Sequence, residues 1–91
     1  MMLKIVPSNR FSRDLKLAHK RGLDLRLLQT VIHTLAEEKP LDRKYRDNDL
    51  AGNYAGFREC HIQPDWLLIY RIERDELELF LFRTGTHSDL F

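Results

Sequence analysis

A change of period partway along the chain limits the fold more than any other feature. From residue 9 to residue 39 apolar side chains recur every three or four positions, the spacing of helices with one buried face. From residue 57 to residue 84 they fall instead into three short β-rich runs separated by turn residues. Helices grouped first and strands grouped last exclude a regular βαβ alternation. They predict an α+β domain in which a helical layer covers one face of a mainly antiparallel sheet.

Local chemistry sets the expected bounds. "LKIVP" (residues 3–7) reads as a first strand, stopped by Pro7 and Ser8. Ser8 or Asn9 caps a helix running to about Arg21, where Gly22 supplies the stop. Phe11, Leu15 and Ala18 share its inner face, while Arg10, Arg13, Lys16 and Lys20 form a separate basic stripe. Asp24 caps a second helix, "LRLLQTVIHTLAEEK", which turns Leu25, Leu28, Ile32 and Leu35 or Ala36 inward and is closed by Pro40. The short link makes the two helices an antiparallel hairpin. Residues 41–56, rich in Asp, Asn and Gly, read as a loop. Strands over residues 57–62, 66–72 and 77–84 follow, joined by the turns "QPD" and "ERDE". The expected order is β-α-α-β-β-β, with the helical hairpin packed on one face of a small twisted sheet and the other face free for function.

Ninety-one residues are enough for one small domain with one modest core. An apolar fraction of 43% argues against disorder. No apolar run approaches the ~20 residues of a membrane helix, and the opening "MMLKIVPSNRFSRD" has no signal-peptide core. Cys60 is the single cysteine, so neither a disulfide framework nor a cysteine zinc pattern is expected; it reads as a buried small hydrophobe in a reducing cytoplasm. The net charge of +1 hides an asymmetry: residues 1–47 carry eleven Lys and Arg against six Asp and Glu, and residues 48–91 carry four against eight. A basic face that meets a polyanion fits that division, as does an ordinary solvated helix surface.

The informative convergence lies in the last third. In an antiparallel meander, the end of the second strand, the turn after it and the end of the fourth strand share one edge of the sheet. His61, Asp65, Arg83 and His87 occupy those positions. Two imidazoles, a carboxylate and a guanidinium are a sufficient kit for cleaving RNA. One group takes the 2′-hydroxyl proton, another protonates the leaving 5′-oxygen, and the guanidinium steadies the phosphorane-like charge. Histidine suits the proton steps because its free pKa of ~6.5 lies near working pH. Trp66 or Phe91 offers an aromatic face for an unpaired base. Each residue also has a plainer reading. His61 satisfies a backbone group at a strand end, Asp65 is a turn residue, Arg83 pairs with Glu59 or Glu78, and Phe91 folds back on the sheet. His19 and His33 sit on helices away from this edge without the spacing partners of a metal site, and no metal or cofactor is expected.

The segments "FRECHIQPDWLLIYRI" and "FRTGTHSDLF", with the first-helix pattern of Phe11, Asp14, Leu15, Lys16, Ala18, Lys20 and Arg21 and the "LAG" before the second strand, resemble the YafQ branch of the RelE toxin superfamily. These are the toxin halves of bacterial type II toxin–antitoxin systems. The resemblance covers nearly the whole chain and implies a RelE-like fold. It also implies a cytoplasmic, ribosome-dependent endoribonuclease that cuts mRNA in the A site with the 2′-hydroxyl as nucleophile. The implied partner is a cognate antitoxin with a ribbon-helix-helix half, through which alone operator DNA is met.

Carried over by position, the family's site falls on His61, Asp65, Trp66, Arg83, His87 and Phe91. His87 is then the general acid, Asp65 and His61 the base side, Arg83 the phosphate ligand, and Trp66 and Phe91 the codon-positioning aromatics. Arg10, Arg13, Lys16, Lys20, Lys39, Arg43, Lys44 and Arg46 are assigned to ribosomal RNA phosphates. One position departs: relatives often carry a histidine in a "DHPL" loop segment, and here the run is "DNDL", with Asn48. An amide cannot exchange a proton near neutral pH. That substitution favours the alternative of a catalytically weakened, toxin-like binding module acting with its antitoxin as a transcriptional co-repressor.

Overall fold

The computed structural model describes residues 2–91. Strand β1 is Lys4–Pro7, and helix α1 follows at Asn9–Lys20, where the Ser8 hydroxyl accepts from the Phe11 N–H at 2.9 Å. Helix α2 is Leu25–Ala36, capped by the Asp24 carboxylate on the Arg26 N–H at 3.0 Å. It ends three residues before the Lys39 limit read from sequence. Glu38 takes the left-handed conformation (φ 58°), and the Lys39 N–H bonds back to the Thr34 carbonyl at 3.1 Å. Pro40 therefore follows a stop already made by the backbone.

The loop predicted over residues 41–56 contains three short elements: a 3₁₀ turn at Arg43–Tyr45, the strand β2 at Asn48–Asp49 and a second 3₁₀ turn at Gly52–Tyr54. Strands β3 (Arg58–Gln63), β4 (Trp66–Glu73) and β5 (Glu78–Gly85) form the meander, each within one residue of its predicted bounds. A last turn of helix, α3 (His87–Leu90), closes the chain where none was predicted. The sheet order is β1-β5-β4-β3-β2, with β1 parallel to β5 and every other pair antiparallel.

Two apolar clusters sandwich this sheet. Phe11, Ala18, Leu28, Val31, Leu35 and Ala36 from the helices bury one face with Cys60, Leu68, Tyr70, Leu79 and Leu81. The second face was expected to be free, and it is not. Leu67 and Ile69 are covered by Leu90 of α3, with Leu50, Tyr54, Phe57 and Phe82 packed against them. β4 is accordingly buried on both sides along Trp66–Tyr70, which explains its unbroken "WLLIY". Among the described residues no helix is long and apolar enough to cross a membrane.

Candidate active site

The fold brings three of the four expected groups together. His61 lies on β3 opposite Leu67, and Leu67 lies opposite Gly85 at the end of β5, from which the chain turns into α3 and presents His87. The two imidazole centroids are 5.6 Å apart, close enough for one phosphodiester to touch both rings. Asp65, in the β3–β4 turn, accepts from the His87 backbone N–H at 3.0 Å and meets its ring Nδ1 at 2.6 Å. Those bonds from His87 hold the Asp65 carboxyl below its ordinary range, so it is an anion at neutral pH. A carboxylate only accepts, hence Nδ1 carries the hydrogen and Nε2 is the ring atom left for substrate. The His61 Nδ1 stands 3.4 Å from the Pro64 carbonyl, a longer contact that favours the same tautomer. Asp65 thus orients His87, where the sequence placed it on the base side.

Arg83 does not join them. Its guanidinium donates to both carboxylate oxygens of Asp14 on α1, at 2.7 and 3.1 Å, and only 11% of the side chain is exposed. The predicted partners were Glu59 and Glu78; the actual one also accepts from the Thr84 N–H at 3.1 Å, where β5 has outrun β1. β5 carries a bulge at this point: Ile69 faces Arg83 and Tyr70 faces Leu81, leaving Phe82 as an extra residue. The expected phosphate contact therefore requires the Asp14 pair to open.

Trp66 is likewise corrected. It is buried at 2% exposure, its indole N–H donates to the Thr84 hydroxyl at 2.9 Å, and that hydroxyl donates to the Leu67 carbonyl at 2.6 Å. It has no face free for a base and instead ties β4 to β5 beneath the site. Phe91 is 60% exposed and stands edge-on to Tyr54 at 5.2 Å between centroids, so it remains available. Asn48 lies exposed on β2 opposite Glu59, its amide donating to the Asp49 carbonyl at 3.0 Å. Arg10, Arg13, Lys16, Lys20, Arg43, Lys44 and Arg46 are all exposed, while Lys39 is paired with Glu37 at 3.1 Å. His19 and His33 are exposed on their helices. Cys60 is fully buried, and burial pushes its thiol up, away from reactive thiolate.

Sequence reading missed the residues that hold α3. Asp89 receives the Arg21 guanidinium at 2.6 Å and the Thr86 N–H at 2.9 Å, while the Thr86 hydroxyl accepts from the Asp89 N–H at 3.1 Å. This is a reciprocal capping box, and its Thr-x-x-Asp spacing was visible in "THSD". Arg21 and the Thr86 N–H hold the Asp89 carboxyl well below the usual range. Among the described residues no three His, Cys, Asp or Glu side chains are grouped as a metal site.

A histidine pair with an orienting carboxylate, at the open end of a small helix-covered sheet, is an arrangement capable of acid–base chemistry. The chain belongs to the YafQ family, bacterial toxins of type II toxin–antitoxin systems, whose family model matches residues 3–91. It is 42% identical over 85 residues to the mRNA interferase toxin YafQ of Escherichia coli K12, covering 92% of this chain and 90% of that protein. The fold matches a metal-bound toxin from Helicobacter pylori with a TM-score of 0.94 and 51% identity, covering 99% of this chain and all of the other. It also matches the toxin in the E. coli DinJ–YafQ toxin–antitoxin complex, with a TM-score of 0.89 and 39% identity over 100% of this chain and 99% of that one.

Proposed function

We propose that this protein is the endoribonuclease toxin of a type II toxin–antitoxin pair, cutting mRNA in the ribosomal A site through attack of the 2′-hydroxyl. The observation that carries the reading is the Asp65–His87–His61 cluster at the exposed end of the sheet. Neutral His61 removes the 2′-hydroxyl proton through Nε2 as that oxygen attacks phosphorus. The P–O5′ bond breaks as protonated His87 delivers its Nε2 proton to the leaving oxygen, giving a 2′,3′-cyclic phosphate and a 5′-hydroxyl. Asp65 keeps His87 in the productive tautomer, a role in which carboxylates serve other catalytic histidines. No step needs a bound metal. Phe91, exposed beside α3, offers the stacking face. A cognate antitoxin, of ribbon-helix-helix type, restrains the enzyme and carries any operator contact.

The test is cleavage of mRNA positioned in the A site of programmed ribosomes, beside free mRNA and a His87→Ala control, with chelator that spares ribosomal magnesium. Cuts at the A-site codon that need both the ribosome and His87 are expected. The absence of an ionisable side chain at Asn48, whose amide is tied to Asp49, favours a second reading: a toxin-like module that binds with its antitoxin but cuts poorly. Stable ribosome binding without cuts, restored by Asn48→His, would select it.

A further inference from the structure

A groove of about 460 Å³ opens beside the histidine pair and shares His61 with it. This is within the ~300–1,000 Å³ of small-ligand sites. Lys44, Tyr45 and Arg46 line it together with His61 and Gln63, and Leu27 of α2 adds apolar surface. Because β2 pairs only with Arg58 and Glu59, no strand covers the outer edge of β3 where His61 and Gln63 meet the groove.

The two cations are presented by an ordered turn. Asp42 accepts from the Lys44 N–H at 3.0 Å, the Arg46 N–H bonds to the Arg43 carbonyl at 3.0 Å, and Arg46 itself takes the left-handed conformation (φ 49°). The nearest carboxylates in sequence do not neutralise them. Asp42 caps the turn, and Asp47 is taken up by the Tyr70 hydroxyl at 2.5 Å and Arg58 at 2.8 Å. Among the described residues neither Lys44 nor Arg46 belongs to an ion pair. The Lys44 ammonium lies 5.1 Å from the Tyr45 ring centroid.

We infer that this groove is a nucleotide subsite for single-stranded RNA, holding the residue that flanks the scissile bond. Lys44 and Arg46 bind the neighbouring phosphate, and Tyr45 and Gln63 meet the base. The inference rests on the reading of the His61–His87 end as the cutting site, and it moves Lys44 and Arg46 from ribosomal RNA to the substrate strand. Unpaired cations, an aromatic and a polar amide in one groove continuous with a proton-transfer histidine fit an RNA strand better than an extended peptide on the β3 edge. A peptide has no use for two uncompensated positive charges unless it is acidic.

The experiment is a titration of the full chain with a 2′-O-methyl RNA tetranucleotide, which cannot be cut, followed by amide chemical shifts. Shifts at Lys44–Arg46 and Gln63 are expected, and Lys44→Ala with Arg46→Ala should weaken binding by ~10-fold or more, the scale of a lost charge-assisted contact. Lys4→Ala, exposed on β1 at the opposite edge of the sheet, should leave it within about twofold, as expected of a charge far from the ligand. No binding, or binding indifferent to Lys44 and Arg46, overturns the inference. So do shifts confined to the outer edge of β3 and indifferent to both cations, which would place the RNA outside the groove. No ribosome or cleavage enters this titration. Tetranucleotide binding in a protein that leaves A-site mRNA intact would sink the nuclease reading and keep the groove; cutting without groove binding would do the reverse.

Discussion

Asp65 accepts two hydrogen bonds from one residue, and that doubling fixes both the position and the tautomer of the His87 ring. Asp65→Asn keeps the shape but removes the demand for a hydrogen on Nδ1. The cleavage rate on programmed ribosomes should fall by roughly 10²–10⁴, the range for losing one acid–base contribution, while ribosome affinity stays unchanged. Equal loss of both would demote Asp65 to a turn residue. The pH profile gives an independent reading. Because the carboxyl is held low, the contact with His87 is complete above the ordinary carboxylate range near ~3.9 and is lost only as pH falls through the lowered value. A loss of rate on acidification that sets in above pH 5 therefore does not come from Asp65 and should survive in Asp65→Asn. Its disappearance there would contradict this order of titration.

At the scale of elements, α3 is too short to be stable by its own hydrogen bonds and exists through what holds it. Arg21 grips Asp89, Leu90 is buried on Leu67, and the Tyr54 hydroxyl donates to the Leu90 carbonyl at 2.8 Å. Gly85 is part of the same fitting: a Cβ placed there would stand 2.8 Å from an Asp89 carboxylate oxygen and 3.0 Å from its Cβ. Gly85→Ala should therefore push α3 away from β5, costing ~1–3 kcal/mol in urea melts and lowering the cleavage rate. Asp89→Ala added to it should recover part of that loss, since the closest contact, with the carboxylate oxygen, is gone while the Cβ contact stays. Strict additivity of the two would show that Gly85 and Asp89 do not compete for space.

The two long helices and the three meander strands were legible because period and caps are local properties. The meander order then placed His61, Asp65 and His87 correctly. β2, α3 and the covered second face were not legible, being made by contacts between distant segments. The Arg83 partner, Asp14, was not legible either, since it lies 69 residues away in a helix read mainly for its basic stripe.

Across the whole molecule the charge asymmetry becomes spatial. Asp75, Glu76 and Glu78 lie at the β4–β5 turn and the start of β5, whereas His61 and His87 stand at the opposite end of those strands. The exposed stripe of Arg10, Arg13, Lys16 and Lys20 belongs to α1, whose far end reaches α3 through Arg21. A polyanion is thereby drawn to the helix side and the site end and repelled from the far turn. If the stripe meets ribosomal RNA, replacing its four cations by Gln should reduce the slope of log affinity against log salt by roughly 3, because each neutralised phosphate releases most of one counterion. Antitoxin binding, measured on the same variant, should change little, and its thermal stability should shift by less than about 0.5 kcal/mol per replaced position, as for other exposed positions. An unchanged slope would remove α1 from the ribosome contact. Ribosome recognition would then rest on the two assigned cations that belong neither to α1 nor to the groove, Lys39 and Arg43.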